Sequence, residues 1–244
     1  MSLIKTHAIV LRTTPYSETS VVLSCLTKSH GVTTFMVNGV RSKNAKVKPS
    51  LLQPLTLLEI EAYFQQHKNM QRIKELKASP QLHTLHFDIV KSSIAIFIAE
   101  ILNKVIKDEN QTDDHLFDFI HSCIQLLDLT DDKPTVFPLY FIVQLSKYLG
   151  IMPKGNYTST NNGFDMLDAA FEPYDDKNPK QLPPAISEFL SELLITNAAS
   201  SLTLKLAYKS RMELLDFMIQ YYAYHLQSNF DLKSYLVLNE VLAE

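Results

Sequence analysis

One change in apolar period, near residue 85, limits what this chain can fold into more than any other feature. Before it, apolar residues come in short runs that read as strands. "THAIVLRTT" (6–14) is rich in β-branched residues, "SVVLSCLT" (20–27) is a short apolar run, and glycines bracket "GVTTFMVNGV" (31–40). "LTLLEIEAYF" (55–64) partly alternates, with Glu59 and Glu61 on one face and Leu58, Ile60 and Ala62 on the other. "QHKNMQRIKEL" (66–76) supplies a fifth strand after a turn near Lys68 and Asn69. "TPYSE" (14–18) and "KSHG" (28–31) carry turn chemistry between strands. Five short strands with hairpin-sized gaps predict a small Greek-key barrel or sandwich.

After the change the period is helical. In residues 87–109, Val90, Ile94, Phe97, Ile98, Ile101, Leu102, Val105 and Ile106 recur at three- and four-residue steps. Asp113 and Asp114 offer caps for a second helix over 115–129, and a third over 134–150 ends at Gly150 before Pro153. Residues 154–183 read as loop, and helices over 184–195, 211–227 and 231–242 complete a bundle. The expected organisation is a β domain over 1–80 followed by an all-helical domain over 81–244, with an irregular segment near 154–183.

Charge divides at the same place. The formal net charge of -3 conceals 11 Lys+Arg against 4 Asp+Glu in residues 1–80, and 12 against 22 in the remainder. A basic module attracts polyanions whatever the rest of the chain carries. The first third is therefore the nucleic-acid candidate. The N-terminus has no signal-peptide pattern, and the most apolar window, residues 92–102, is about half a bilayer span and contains Glu100. Cys25 and Cys123 form no framework. Buried thiols in a cytoplasmic protein are the expectation, with no membrane partner.

Catalytic chemistry finds little support. Five glycines, at 31, 39, 150, 155 and 163, build neither a P-loop nor a dinucleotide-binding turn. His83 and His86 form a pair without further ligands, which reads as a helix start. The paired carboxylates at 113–114, 131–132 and 175–176 sit where caps are needed. The chain is not expected to be an enzyme, and no cofactor is expected.

The basic stretch "NGVRSKNAKVKPSLLQPL" (38–55) is more informative, because it holds Arg41, Lys43, Lys46 and Lys48 and no carboxylate. Lys5, Arg12 and Lys28 belong to the same predicted barrel. Cations clustered in this way bind phosphate backbones by releasing counterions, largely without regard to sequence. Phe35, Tyr16 and Tyr63 are candidates for base stacking, with core packing as the alternative for Phe35 and a turn for Tyr16. A solvated loop is the alternative reading of the cations. In the acidic part, the aromatic stripe "YYAYH" (221–225) reads as core. Lys205, Lys209 and Arg211 read either as a solvated helix flank or as a seat for an acidic peptide terminus.

These residues resemble a known family. "KTHAIVLRTTPYSETSVVLSCLTKSHG" is similar to the opening of the bacterial RecO recombination-mediator proteins, and "NGVRSKNAKVKPSLLQPLTLLEIEAY" to their next element. "KYLGIMP" (147–153) and "YHLQSNFDLKSYLVL" (224–238) resemble later segments, in the right order. The resemblance implies an OB-type barrel followed by a helical domain. It implies binding and annealing of single- and double-stranded DNA, partnership with RecR, and recognition of the C-terminal tail of single-stranded DNA-binding protein. It also implies help in loading RecA. By position, Arg41 and the cations at 43, 46 and 48 match the family's basic loop. Many members carry a four-cysteine zinc site after the third of these segments, but residues 154–176 here contain no cysteine, so zinc is not expected. The alternatives are an RNA- or ribosome-associated OB-fold protein and a scaffold whose basic loop meets an acidic protein. A nucleoid-associated, cytoplasmic location goes with the first reading.

Overall fold

A computed structural model of the chain describes residues 2–40, 47–106 and 112–243. The chain divides into two compact units, Met1–Leu129 and Thr130–Glu244. In the first, five strands close a barrel: β1 (Ser2–Pro15), β2 (Val21–Thr27), β3 (Gly31–Val37), β4 (Leu57–Phe64) and β5 (Gln71–Ala78), in the order β1-β2-β3-β5-β4. The sequence left barrel and sandwich open, and the barrel is what forms. β1 is long enough to serve two neighbours, pairing antiparallel with β4 through its first half and with β2 through its second. A short parallel pairing, Phe35 with Gln71 and Met36 with Arg72, joins β3 to β5 and closes the sheet. The fifth strand begins at Gln71, later than its sequence pattern, because residues before it form a turn in which Lys68 N–H donates to Gln65 O at 3.0 Å.

Burial follows the pleat. In β4, Leu58, Ile60 and Ala62 are buried while Glu59, Glu61 and Tyr63 face outward and are half-buried, as alternation predicts. Leu23, Cys25, Phe35 and Val37 complete the barrel core. Register slips at Leu11, between Val10 opposite Cys25 and Arg12 opposite Ser24. Such a bulge disrupts the ladder locally, and the Leu11 carbonyl accepts from Asn103 Nδ2 at 2.9 Å instead. Asn103 lies on α1 (Ile89–Val105), which packs on β1. Asp88 caps α1 by accepting from Lys91 N–H at 2.9 Å, and Asp113 caps α2 (Asp114–Leu129) through Leu116 N–H at 3.0 Å. The His86 ring contacts Pro54 O at 2.8 Å, tying the approach to α1 back to the barrel.

One buried carboxylate organises the remaining turn. Asp128, at the end of α2 and only 4% exposed, accepts from His83, Thr84 and Leu85 N–H at 2.8–2.9 Å. Burial alone would push its carboxyl up. The three backbone donors outweigh that and hold it below the ordinary aspartate range. Buried Lys91 donates to Asp128 O at 3.0 Å and to Thr84 Oγ1 at 2.6 Å.

The second unit holds α3 (Phe137–Tyr148), α4 (Pro184–Ile195), the single turn α5 (Ala198–Ser201), α6 (Tyr208–His225) and α7 (Lys233–Leu242). The segment read as irregular, 154–183, instead contains a small antiparallel sheet: β6 (Gly163–Asp165), β7 (Ala170–Glu172) and β8 (Gln181–Leu182), ordered β7-β6-β8. These strands are two or three residues long, too short to show a period. Close packing requires glycine at 163, where an added Cβ would lie 3.0 Å from Tyr174 Cα. Phe164 packs against Phe171 at 5.1 Å and near Phe217 and Tyr221. Ser187 on α4 is fully buried, accepts from Phe164 N–H and donates to Leu182 O, both at 2.9 Å. Of the aromatic stripe, Tyr221 and Tyr222 are core, and Tyr222 donates to Ile142 O at 2.6 Å, but Tyr224 is 53% exposed. No helix among the described residues is long and apolar enough to cross a membrane.

Candidate nucleic-acid interface

Of the four cations in the opening basic stretch, Arg41, Lys43 and Lys46 lie outside the described residues. Their flanks are fixed: Val40 is buried in the barrel core, and Val47 and Leu51 pack against it. Lys48 is exposed and immediately precedes a 3-10 turn (Pro49–Leu52), whose Leu52 carbonyl accepts from Thr13 Oγ1 at 2.6 Å. The basic stretch thus leaves and re-enters the barrel at packed residues.

The other predicted cations differ among themselves. Lys5 pairs with Glu59 at 3.1 Å, and Lys77 meets the same carboxylate at 2.9 Å. Hydrogen bonds from Lys77 and Lys5 hold Glu59 below its ordinary range. Lys74 pairs with Glu61 at 3.1 Å. Lys28 donates to Asp118 of α2 at 2.7 Å and sits 5.8 Å from the Phe117 ring centre. Lys5 and Lys28 therefore carry charges already answered by carboxylates. Arg12 is exposed and makes no ion pair among the described residues.

The three aromatic candidates separate cleanly. Phe35 is fully buried at the barrel centre, so it offers no face to a base, which removes it from the stacking set. Tyr16 is 64% exposed in the β1–β2 turn, where its N–H donates to Ser20 O at 3.0 Å. Tyr63 is half-buried and lines an open cavity of about 450 Å³ with Gln65, Lys68, Met70, Gln71 and Arg72. Lys68 and Arg72 escaped the sequence reading because they are scattered rather than clustered. Their only signal was a turn pattern bounded by cations.

In the second unit the cluster of Lys205, Lys209 and Arg211 does not form one solvated patch. Arg211 is buried, and its guanidinium donates to Leu242 O at 2.6 Å and Leu206 O at 3.3 Å. Its Nε has no hydrogen-bond partner among the described residues. Burial lowers its pKa, yet a guanidinium stays charged. Arg211, Lys205 and Lys133 line a cavity of about 650 Å³ with Asp132, Thr135 and Leu204, whereas Lys209 is exposed and outside that lining.

Asp113, Asp175, His83 and His86 have structural partners. His83 and His86 serve the Asp128 and Pro54 contacts already described. Asp175 accepts from Lys177 N–H at 3.0 Å. Among the described residues no group of three or more His, Cys, Asp or Glu could hold a metal ion. Asp165 accepts from Leu167 N–H, Asp168 N–H and Asn178 Nδ2. Cys25 and Cys123 are buried, and burial pushes both thiols up, that of Cys123 to about 12.

A closed five-stranded OB-type barrel, basic along one loop and followed by helices, defines a class of nucleic-acid-handling proteins. The chain matches the family models described as Recombination protein O N terminal over residues 1–80 and Recombination protein O C terminal over residues 86–235. It is 34% identical over 241 residues to the DNA repair protein RecO of Flavobacterium psychrophilum, covering 98% of this chain and 99% of that one. The DNA repair protein RecO of Phocaeicola vulgatus is 33% identical over 239 residues, with the same coverage. That of Christiangramia forsetii is 31% identical over 240 residues. The chain belongs to the RecO family of DNA repair proteins.

Proposed function

We propose that this chain is a non-enzymatic mediator that uses its barrel to bind single- and double-stranded DNA and to bring complementary strands together for annealing. The observation that carries this reading is the distribution of charge between the sheet face and the basic stretch. Glu59 and Glu61 neutralise Lys5, Lys74 and Lys77 on the sheet face, while residues 38–55 hold four cations and no carboxylate. A strand drawn there meets a stretch with no carboxylate of its own, and release of its counterions drives binding. The acidic remainder repels a phosphate backbone and suits protein partners, for which RecR and RecA are the candidates. The Arg211 and Lys205 cavity is the seat best suited to the acidic C-terminal tail of single-stranded DNA-binding protein, because one buried and two exposed cations beside leucine side chains match an acidic peptide end. This activity belongs at the nucleoid in the cytoplasm.

The test is fluorescence anisotropy of labelled single-stranded DNA across a salt series, comparing wild type with a variant carrying alanine at 41, 43, 46 and 48. Binding by the wild type is expected to weaken steeply with salt, and the variant's log–log slope to flatten by about three. Equal slopes would remove the basic stretch from the interface. A preference for structured RNA would favour an RNA-associated role, and no affinity at low salt a protein scaffold.

A further inference from the structure

The β4–β5 end of the barrel differs from the rest of its outer face. Along β1, β4 and β5 the outward lysines Lys5, Lys74 and Lys77 are each held by Glu59 or Glu61. At the hairpin the pattern stops. Lys68 and Arg72 make no ion pair among the described residues, and the cavity they line with Tyr63 contains no carboxylate. Tyr63 stands directly opposite Leu3 on β1 and Arg72 on β5, so one row across three strands reads apolar, aromatic, cationic. Side chains paired in this way on one sheet face are close neighbours.

Hydrogen bonds also tie the hairpin together. Gln71 is only 5% exposed, and all its amide bonds go to the turn: Oε1 accepts from Gln65 N–H at 2.8 Å, and Nε2 donates to Gln65 O at 3.0 Å and Lys68 O at 2.7 Å. A second, smaller cavity shares Lys68 and Gln71 with the first and is lined also by Val32, Thr33 and Thr34 of β3. In OB-type barrels generally, the loop between strands 4 and 5 flanks the oligonucleotide path.

Resting on the DNA-binding reading above, we infer that this hairpin is a single-nucleotide subsite, in which one base of a single strand stacks on Tyr63 while Arg72 and Lys68 take the phosphates on either side. The basic stretch at 41–48 supplies phosphate affinity that ignores the base. Tyr63 supplies contact with the base face, which only an unpaired strand exposes. The subsite therefore makes the barrel favour single strands over duplex.

The test compares two labelled probes of equal length, an oligothymidylate and a fully abasic strand, by anisotropy at fixed salt. Tyr63→Ala is expected to weaken oligothymidylate binding about five- to hundred-fold while leaving the abasic strand unchanged, and Tyr63→Phe to bind as wild type. Combined alanine substitution of Lys68 and Arg72 weakens both probes alike and lowers the salt slope by about one. Equal losses on both probes in Tyr63→Ala, or no loss on either, would overturn the subsite while leaving DNA binding by the barrel intact. If the wild type binds neither probe, both readings fall together.

Discussion

Replacing Asp128 by alanine tests the most heavily used side chain of the first unit. Its carboxylate satisfies three backbone N–H groups, of which that of Leu85 belongs to a fully buried residue. Orphaning that donor costs about 1–3 kcal/mol, because no water can replace the lost oxygen. His83 and Thr84 are exposed, so water recovers part of their loss and each contributes about 0.5–1.5 kcal/mol. The sum is about 4 kcal/mol, or a fall in Tm of about 15 °C for a unit of this size. Asp128→Asn keeps one acceptor oxygen and should fall by less than half as much. Thermal melts followed by circular dichroism supply the numbers. The pH dependence gives a second handle. The folded carboxyl is held below its ordinary value, so its stabilisation is complete above the unfolded aspartate value of about 3.9 and is lost as pH falls through the lower folded value. The gap between wild type and Asp128→Ala should therefore stay constant from neutral pH to about 4 and close below it. A melt within about 2 °C of wild type at neutral pH would refute the three-donor account, since that is less than 1 kcal/mol.

Two further substitutions probe the other unit and the barrel surface. Ser187→Ala leaves the Phe164 N–H and the Leu182 carbonyl without their buried partner and should destabilise the protein by about 1–3 kcal/mol in urea unfolding; Ser187→Thr tests whether the hydroxyl alone suffices. Glu59→Gln releases Lys5 and Lys77, so affinity for single-stranded DNA at low salt should rise and the log–log salt slope steepen by about one; an unchanged slope would mean that this face of the sheet lies off the DNA path.

The barrel was legible in the sequence because half-buried strands alternate, and the outward Glu59, Glu61 and Tyr63 follow that rule residue by residue. The helices were legible for the same reason at a different period. Closure was not, because the β3–β5 pairing rests on two residue pairs and leaves no mark on the pattern of either strand. The sheet over 163–182 was hidden by strands too short for any period, set among residues with turn chemistry. Asp128 gave no signal, since an aspartate at the end of a helix reads as a solvated charge until the fold brings residues 83–85 against it. Arg211 misled for a related reason. Its spacing matches a surface cluster, whereas packing of α6 against the last helix turns it inward to the Leu242 carbonyl. The family assignment came from ordered local motifs, which fix chain order but not which cations are already paired. Lys5 and Lys28 were counted as free for that reason.

The reach of β1 has a consequence for the chain during its own synthesis. Translation releases β1 first, and β2 gives it a partner at once, but its other flank stays open until β4 has emerged. The Leu11 carbonyl waits longer still, for Asn103, and the amides of 83–85 wait for Asp128. Through that interval the growing chain displays Ala8, Ile9 and Val10 on a strand with a free edge, the arrangement most prone to pairing with a neighbour. The first unit is sealed by its last helix. A ribosome that pauses before β4 has emerged holds out an unfinished barrel, and a gene cut at the end of β5 would close the sheet but leave the Leu11 carbonyl without Asn103.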